Sequence, residues 1–456
     1  MFSELDPEAC AMFLSDSSPQ FEAIQAHFDA STGVTTDTRA AGAGQLFFAL
    51  KGENFNGNAY AQQAIDTGCI AAVVDESEHV PVDDARFILV PNALEALQSL
   101  ARWHRRRWSC PVIGLTGSNG KTTTKELMKC VLEAAHSHVH ATVGNFNNHI
   151  GVPLTLLAAR TEPDIAIIEM GANAQKEIAL LARIAEPNAA VITNIGRAHL
   201  EGFGGEDGVM MGKGELFDFI RNEKPESPVF VNSNHPKLLK LSEGLNRREY
   251  GAPSSAPFVS EVHAEDAFAW VGPSGASHGS LKVHVQGEHN RENIMTAIAI
   301  GLHYGVPESA CSQAVAAYQP NNNRSQWTST QHNRILLDAY NANPSSMRAA
   351  LTSFKRMVDE TPGAGKPLCI LGDMAELGEH TAAAHEEILA FALGLGLQTW
   401  AVGPGFDHAA KAYKNVVAFA NTEDAAAHCR ATELADHRIL LKGSRSIALE
   451  ALVEVL

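Results

Sequence analysis

The stretch Val112-Ile-Gly-Leu-Thr-Gly-Ser-Asn-Gly-Lys-Thr-Thr-Thr124 decides the fold prediction. It begins with a short apolar segment, typical of a buried strand, and Gly117 and Gly120 then mark a tight turn. Glycines let the backbone wrap around an anion, and a helix starting at Thr122 points its N–H groups at the same place. A strand, a Gly-rich loop and a helix in this order predict a phosphate-binding P-loop.

The lysine and threonine of the loop suit a nucleotide. Lys121 can reach the terminal phosphates, and the Thr122 hydroxyl can bind Mg²⁺. The strict pattern G-x-x-x-x-G-K-[ST] has a glycine where this chain has Leu115. The alternative is a Gly-rich turn with an incidental lysine, but G-K-T directly after a buried strand favours the phosphate site.

Strands and helices alternate on both sides of the loop. Residues 165–170 (IAIIEM) and 190–193 (AVIT) are continuous apolar runs, typical of parallel strands covered on both faces. Residues 256–286 have an alternating pattern that predicts an antiparallel edge. The sequence therefore predicts an α/β fold of three domains: a small α/β domain (1–108), a central P-loop, parallel-sheet ATPase domain (109–325) and a doubly wound, Rossmann-like C-terminal domain (326–456).

Composition excludes several function classes. The chain has 456 residues, with 35 Lys and Arg against 52 Asp and Glu, a net charge of −17. A general nucleic-acid binder needs a basic face, so nucleic acid is not an expected partner. The seven cysteines form no C-x-x-C pair, which favours reduced thiols over disulfides or a thiolate zinc site. Without a leader pattern or a long apolar run, we expect a cytoplasmic protein with no membrane span.

Two candidate metal ligands follow buried strands. Glu169 ends the first of the apolar runs and His199 follows the second. Ligands gather at the carboxyl ends of the strands in an open α/β sheet, so both side chains are expected to face the P-loop. Glu169 suits Mg²⁺, while His199 is either a ligand of a second metal or a packed histidine. The H-x-E at His199 also occurs in zinc deaminases, but no P-C-x-x-C accompanies it.

Three asparagines form a polar cluster in residues 144–153 (GNFNNHIGVP). Asn145, Asn147 and Asn148 either satisfy one another in a turn or position a polar substrate beside the phosphate site. The two interpretations stay open at this point.

Basic residues stand out at two places. Lys213 lies among apolar and small residues, a setting typical of a lysine with a lowered pKa that is open to modification. Arg102, Arg105, Arg106 and Arg107 fall at the end of a helix that Asn92 is expected to cap. We interpret the arginines as a solvated helix end, with an anion site as the alternative.

Together these motifs resemble the Mur ligase family of ATP-dependent amide-bond-forming enzymes. The resemblance covers essentially the whole chain, and the family's P-loop also lacks the first glycine. The segments that carry it are TGSNGKTTT, GNFNNHIGVP, EMGA, TNIGRAHLEGFG, GKGELF and GEHNRENIMTA. Within the family, DAYNANPSSM (338–347), LGDMAELGE (371–379) and KGSR (442–445) resemble the ligases that add D-alanyl-D-alanine, and the Asp-Asn-Pro-Arg of the diaminopimelate-adding ligases is absent.

The resemblance implies a reaction and its partners. The substrates would be UDP-N-acetylmuramoyl-tripeptide, D-alanyl-D-alanine and ATP, joined through an acyl phosphate in peptidoglycan precursor synthesis. Mg²⁺ would be the metal, Lys213 would carry a carbamate made from CO₂, and the protein would be a monomer.

The resemblance also implies residue roles. The ATP phosphates would lie against Gly117, Ser118, Asn119, Gly120, Lys121, Thr122 and Thr123. Adenine, ribose and phosphates would meet Asn293, Arg324, Asp338, Tyr340 and Asn341. Metals would be held by Thr122, Glu169, His199 and Lys213, and the catalytic residues would be Lys121, His199 and Lys213. The substrate would contact Asn145, Asn147 and Asn148, with Asp37, Arg39, Lys51 and Asn56 on the UDP-sugar side.

The sequence leaves two alternative functions open. One is another amide ligase of the superfamily, of the folylpolyglutamate type, and the other is a P-loop phosphotransferase or motor ATPase. Neither accounts for the NFNGN segment or for LGDMAELGE.

Overall fold

The computed structural model describes residues 13–52, 54–260, 267–285, 287–320, 326–432 and 434–456. Within them the chain forms successive α/β units with mainly parallel sheets, which confirms the predicted fold class. Arg324 lies outside the described residues. Among the described helices, none is long and apolar enough to cross a membrane.

The first unit contains a four-stranded parallel sheet in the order β1-β2-β5-β6. Strand β1 ends at Thr35 because the Thr35 hydroxyl accepts a hydrogen bond from Asp37 N–H (3.3 Å), which starts a turn. Asn92 caps α3 as predicted, its Oδ1 accepting from Leu94 N–H at 2.9 Å. The elements are α1 (Pro19–Ala30), β1 (Gly33–Thr35), β2 (Gln45–Phe48), β3 (Lys51–Gly52), β4 (Phe55–Asn56), α2 (Ala61–Asp66), β5 (Ala71–Val74), β6 (Phe87–Leu89) and α3 (Ala93–Arg105).

The central unit contains a six-stranded parallel sheet in the order β12-β11-β10-β7-β9-β8. Because β7 lies between β9 and β10, the P-loop after β7 meets the carboxyl ends of both neighbours. The strands are β7 (Val112–Thr116), β8 (Val139–Ala141), β9 (Ile165–Glu169), β10 (Ala189–Ile192), β11 (Pro228–Asn232) and β12 (Asn246–Tyr250). The helices between them are α4 (Lys121–Leu132), α5 (Gly151–Ala158), α6 (Glu177–Ala185), α7 (Leu200–Phe203), α8 (Glu206–Glu223) and α9 (Pro236–Leu241).

An antiparallel sheet follows, but it is not the predicted edge of the central sheet. Among the described residues, β13 (Phe258–Val259), β14 (Ala267–Val271) and β15 (Ser277–Lys282) pair only with one another as named strands. Phe268 and Trp270 are fully buried in the apolar cluster that also contains α4 residues, so this sheet covers one face of the central unit. Two helices, α10 (Glu288–His303) and α11 (Glu308–Ala317), complete that cover.

The third unit is doubly wound, as predicted. Its sheet has the order β16-β17-β21-β18-β19-β20, with only β16 antiparallel, and separate apolar clusters cover its two faces. The strands are β16 (Gln326–Ser329), β17 (Asn333–Asp338), β18 (Lys366–Gly372), β19 (Gln398–Val402), β20 (Val417–Phe419) and β21 (His437–Lys442). The helices are α12 (Pro344–Glu360), α13 (Thr381–Gly394), α14 (Pro404–Ala410) and α15 (Thr422–Thr432), and a 3-10 helix (Leu449–Val455) ends the chain.

At the end of α3, Arg102, Arg105 and Arg106 form an interface rather than a solvated helix end or an anion site, whereas Arg107 pairs with Asp29 on the surface at 2.6 Å. Arg105 donates to the carbonyls of Ala185 (2.9 Å) and Glu186 (3.0 Å) at the end of α6. Arg102 and Arg106 both pair with the Glu186 carboxylate, at 2.9 and 2.8 Å. The free carbonyls at a helix end attract cations, so these side chains fix the first unit to the second.

Candidate functional site

The P-loop is held by the segment that follows β10. Thr193 Oγ1 donates to the Asn119 carbonyl at 2.6 Å, and Asn194 Oδ1 accepts from Asn119 N–H at 3.0 Å. Gly117 has φ +145°, and a Cβ there would lie 2.0 Å from Thr193 Oγ1, so only glycine fits. Residues 193–196 (TNIG) thus hold the P-loop in its conformation before any ligand binds.

Glu169 and Thr122 meet as predicted. Thr122 Oγ1 donates to Glu169 Oε1 at 3.1 Å, and Asn147 Nδ2 donates to the same oxygen at 2.8 Å. Glu169 Oε2 is buried and has no hydrogen-bond partner among the described residues. A buried, unsatisfied carboxylate oxygen is costly unless something binds it, and an all-oxygen donor set suits a hard cation. The residues present therefore fit Mg²⁺.

The three asparagines of the polar cluster have different environments, and only Asn148 fits the interpretation as a turn. Asn148 Oδ1 accepts from Ile150 N–H (3.1 Å) and Gly151 N–H (2.8 Å), so it forms a local turn at the start of α5. Asn147 instead orients Glu169. Asn145 is exposed on the cavity wall.

Two lysines differ sharply in environment. Lys121 folds back over the loop, its Nζ donating to the Gly117 carbonyl at 2.6 Å. Lys213 is fully buried in α8, donates to the Ala172 carbonyl at 3.0 Å, and its Nζ lies 4.8 Å from the centre of the Phe203 ring. Burial, and then the charge of Lys121, hold the pKa of Lys213 well below its usual value. Ala172 lines the cavity and Lys213 lies directly behind it.

His199 contacts the third unit. Its Nδ1 faces the carboxylate of Glu376, which belongs to the loop after β18. The close contact with His199 lowers the pKa of Glu376. The His199 side chain is 16% exposed and lines the cavity, so it is not an ordinary core histidine.

The third unit brings charged and polar groups to the same place. Lys442 at the end of β21 is buried, and its Nζ donates to Asp338 Oδ2 at 2.7 Å and to the Asn341 carbonyl at 3.2 Å. The Tyr340 ring lies 5.3 Å from the guanidinium carbon of Arg445. Asn343 Nδ2 donates to Asn119 Oδ1 at 2.8 Å, which joins this unit to the P-loop directly.

These groups surround one cavity of about 770 Å³ between the central and third units. Such a volume is typical of small-molecule sites. The predicted residues that line it are Ser118, Asn119, Gly120, Lys121, Thr122, Thr123, Asn145, Asn147, Asn148, Glu169, His199, Asn293, Asp338, Tyr340 and Asn341. Asn293 lies at its base, where its Oδ1 accepts from Thr124 Oγ1 at 3.1 Å.

The four predicted residues of the first unit lie elsewhere. Arg39 pairs with Asp37 at 2.7 Å on the surface. Lys51 pairs with Asp75 at 3.0 Å, and Asn56 donates to Glu76 at 2.7 Å. None of these side chains is among the described residues that line the cavity.

Comparison with known proteins decides the family. Three protein-family models match successive parts of the chain. They are described as "Mur ligase family, catalytic domain" (31–105), "Mur ligase middle domain" (115–301) and "Mur ligase, glutamate ligase domain" (323–445). The UDP-N-acetylmuramoyl-tripeptide–D-alanyl-D-alanine ligase of Bacillus subtilis (strain 168) is 36% identical over 371 residues, which are 81% of this chain and 78% of that protein. The chain belongs to the Mur ligase family.

Two solved structures of Mur ligases have the same fold as this chain over almost all of its length. The crystal structure of MurF from Acinetobacter baumannii is 29% identical with a TM-score of 0.83, covering 95% of this chain and 97% of the other. MurF ligase from Thermotoga maritima, solved in complex with ADP, is 25% identical with a TM-score of 0.80, covering 94% and 97%.

Sequence reasoning missed several residues of this Mur ligase site. Lys442, Ser345 and His289 line the cavity, and Asn194 holds the P-loop. Lys442 stands at the carboxyl end of an apolar strand, as Glu169 does. Because ligands gather at such strand ends, its position in the sequence could have identified it as a site residue. Ser345 lies near the start of α12, where nothing in the sequence indicates the domain it faces.

Proposed function

We propose that this cavity is where the chain, an ATP-dependent ligase, joins D-alanyl-D-alanine to UDP-N-acetylmuramoyl-tripeptide in peptidoglycan synthesis. The observation that carries the proposal is that the P-loop, Glu169 and the Asp338–Lys442 pair line one cavity. The Bacillus subtilis relative bears the name of this reaction, and the Thermotoga maritima structure holds ADP.

The reaction needs an activated acid. A carboxylate is a poor electrophile, so the γ-phosphoryl group of ATP is transferred to the terminal carboxylate of the tripeptide, giving an acyl phosphate and ADP. The amine of D-alanyl-D-alanine then attacks the carbonyl carbon. Phosphate leaves from the tetrahedral intermediate, the amine loses a proton, and a new amide bond remains.

The P-loop supplies charge stabilisation from the chain itself. The N–H groups at the start of α4 and the Lys121 ammonium face the place where negative charge builds up on the transferring oxygens. Because Thr193 and Asn194 hold the loop in advance, its backbone N–H groups need no rearrangement during the transfer, whereas the Lys121 side chain must leave the Gly117 carbonyl to reach a phosphate.

We assign Mg²⁺ to Thr122 and Glu169, and a second metal to His199 and Lys213. Bound Mg²⁺ neutralises charge on the phosphoryl oxygens. Asn147 holds Glu169 Oε1, which leaves Oε2 as the free ligand oxygen. The role of Asn147 is thus to orient a ligand, in place of the substrate contact that the sequence suggested.

Lys213 is assigned a carbamate. Burial lowers the pKa of Lys213 and so favours the neutral amine, the form that attacks CO₂ to give N–COO⁻ with release of one proton. The product would be a carboxylate-like metal ligand on α8, where Lys213 Nζ now donates to the carbonyl of Ala172, a residue of the cavity wall.

The remaining assignments come from the sequence. The proposed ATP contacts are Asn293, Arg324, Asp338, Tyr340 and Asn341. The proposed contacts of the UDP-sugar are Asp37, Arg39, Lys51 and Asn56. We also propose a role for each domain. The first (1–108) binds the UDP-sugar, the second (109–325) binds ATP, and the third (326–456) closes on ATP and binds the acceptor. A monomeric state and a cytoplasmic location are proposed with them.

An assay of ATP turnover tests the function. Purified protein should release ADP and phosphate only when UDP-N-acetylmuramoyl-tripeptide and D-alanyl-D-alanine are both present, with one new peptide bond per ATP. Tripeptides with diaminopimelate and with lysine at the third residue are compared in the same assay. ATP hydrolysis that needs neither substrate would support a motor ATPase instead, and turnover with a folate substrate would support the folylpolyglutamate type.

A further inference from the structure

We propose that Glu376 is a positioning residue: it reaches from the third unit across the cavity edge and sets the orientation of the His199 imidazole. The site to which His199 belongs would then be complete only when the third unit is packed against the central one. The inference rests on the proposed function and concerns the segment LGDMAELGE (371–379), which that function leaves unused.

Other residues of this segment have structural roles. Met374 and Leu377 are buried in the third unit. The Asp373 carboxylate accepts from Gly405 N–H and Phe406 N–H, both at 2.8 Å, at the start of α14. These contacts anchor the residues on both sides of Glu376 to the third unit.

The backbone is fixed on both sides of Glu376. Met374 N–H donates to His385 Nε2 at 3.0 Å, and Ala375 N–H donates to Ser444 Oγ at 2.9 Å. Glu376 has φ +60°, a conformation uncommon outside glycine and asparagine. The loop therefore turns this side chain away from its own unit, and its carboxylate pairs with His199.

The two units approach closely beside this pair. A Cβ on Gly378 would lie 3.0 Å from Glu201, which follows His199 in the short helix α7. Gly378 also has φ +54°, so a glycine suits both the turn and the approach. Arg197 adds a second link, since its guanidinium pairs with Glu387 of α13 at 2.9 Å.

The chemistry of the pair suggests its purpose. A metal-binding histidine donates its other ring N–H to a carboxylate or carbonyl, which fixes the ring and its tautomer. His199 Nδ1 points to Glu376, so Nε2 is the nitrogen left for a ligand. Here the carboxylate comes from another unit, which couples the orientation of the histidine to the packing of the two units.

Binding of Mn²⁺, followed by electron paramagnetic resonance, tests the inference on the full-length protein with a non-hydrolysable ATP analogue. We expect two classes of Mn²⁺ site in the wild type. Glu376→Ala should weaken one class about tenfold, the usual effect of losing such a partner, and leave the other unchanged. Glu376→Gln, which can still accept from His199, should restore part of the loss.

A double-mutant cycle with His199→Ala separates positioning from a general structural effect. Because Glu376 acts through His199, the double variant should bind Mn²⁺ as His199→Ala does. Glu379→Ala is the matched control: it lies in the same segment, its side chain is 90% exposed, and it should bind Mn²⁺ like the wild type.

Three results would overturn the inference. They are wild-type Mn²⁺ affinity in Glu376→Ala, additive losses in the double variant, and a single class of Mn²⁺ site in the wild type. The ligation assay on the same wild-type sample distinguishes these from failure of the proposed function, because ligation is measured without any variant.

Discussion

Lys121 carries the positive charge that the site cannot replace from elsewhere in the P-loop. Lys121→Ala should lower the rate of amide formation about 100-fold or more, since one lost transition-state contact costs roughly 3 kcal/mol. Lys129→Ala is a matched control, because Lys129 lies on the same helix and pairs with Glu133 at 3.7 Å, outside the cavity. Single-turnover measurement of ADP release checks the result, and an unchanged rate for Lys121→Ala would contradict the role.

Lys213 has the opposite requirement, since its amine must be neutral to react with CO₂. Lys213→Ala should lose most activity, about 100-fold, and formate or acetate should restore part of it by supplying a free carboxylate. The measurement is the ligation rate against acid concentration. Full activity in the alanine variant without any acid would remove the carbamate from the mechanism.

The contact between α3 and α6 depends on the charge of Glu186. Burial raises the pKa of Glu186, but hydrogen bonds from Arg106 and Arg102 outweigh it, so the pKa lies below its usual value of 4.5. A lowered pKa in the folded state adds stability above pH 4.5, and this is lost as the pH falls through the folded-state value. Glu186→Gln should therefore reduce the free energy of unfolding by about 1 kcal/mol at pH 7.

Urea unfolding of the Glu186→Gln variant at several pH values measures this effect. The difference from the wild type should shrink below pH 4.5. Asp29→Asn, at an exposed pair with Arg107, should change stability little at any pH. A difference for Glu186→Gln that stays constant from pH 7 to pH 3 would contradict the assignment.

Across the whole molecule, the cavity lies between two units that are joined mainly by polar side chains. Arg197–Glu387, Asn343–Asn119 and His199–Glu376 are polar contacts of a kind worth about 1 kcal/mol or less each, so we expect rotation of the third unit to cost little free energy. An acyl phosphate must be shielded from water, and closure of the third unit on ATP would do so. We expect small-angle X-ray scattering to show a more compact molecule with an ATP analogue and the tripeptide. Identical curves with and without them would count against this rotation.

Prediction from sequence succeeded where the signal is local. The P-loop needs only a strand, two glycines, a lysine and a helix in order, and Glu169 and His199 follow from the strand-end rule. It failed for Arg102, Arg105 and Arg106, because their partners lie in another unit: Arg105 donates to the carbonyl of Ala185, 80 residues away. It also missed the separate antiparallel sheet, since alternation predicts strands but not the sheet they join.

The sequence by itself determined the fold class, the phosphate loop and most residues of the cavity wall, because hydrophobic periodicity and turn chemistry act between near neighbours in the chain. Only the tertiary structure decided which groups pair: Asn147 with Glu169, Lys442 with Asp338, and Glu376 with His199. Such pairs join residues distant in sequence, and their partners are set by how whole sheets and helices pack, which no local pattern encodes.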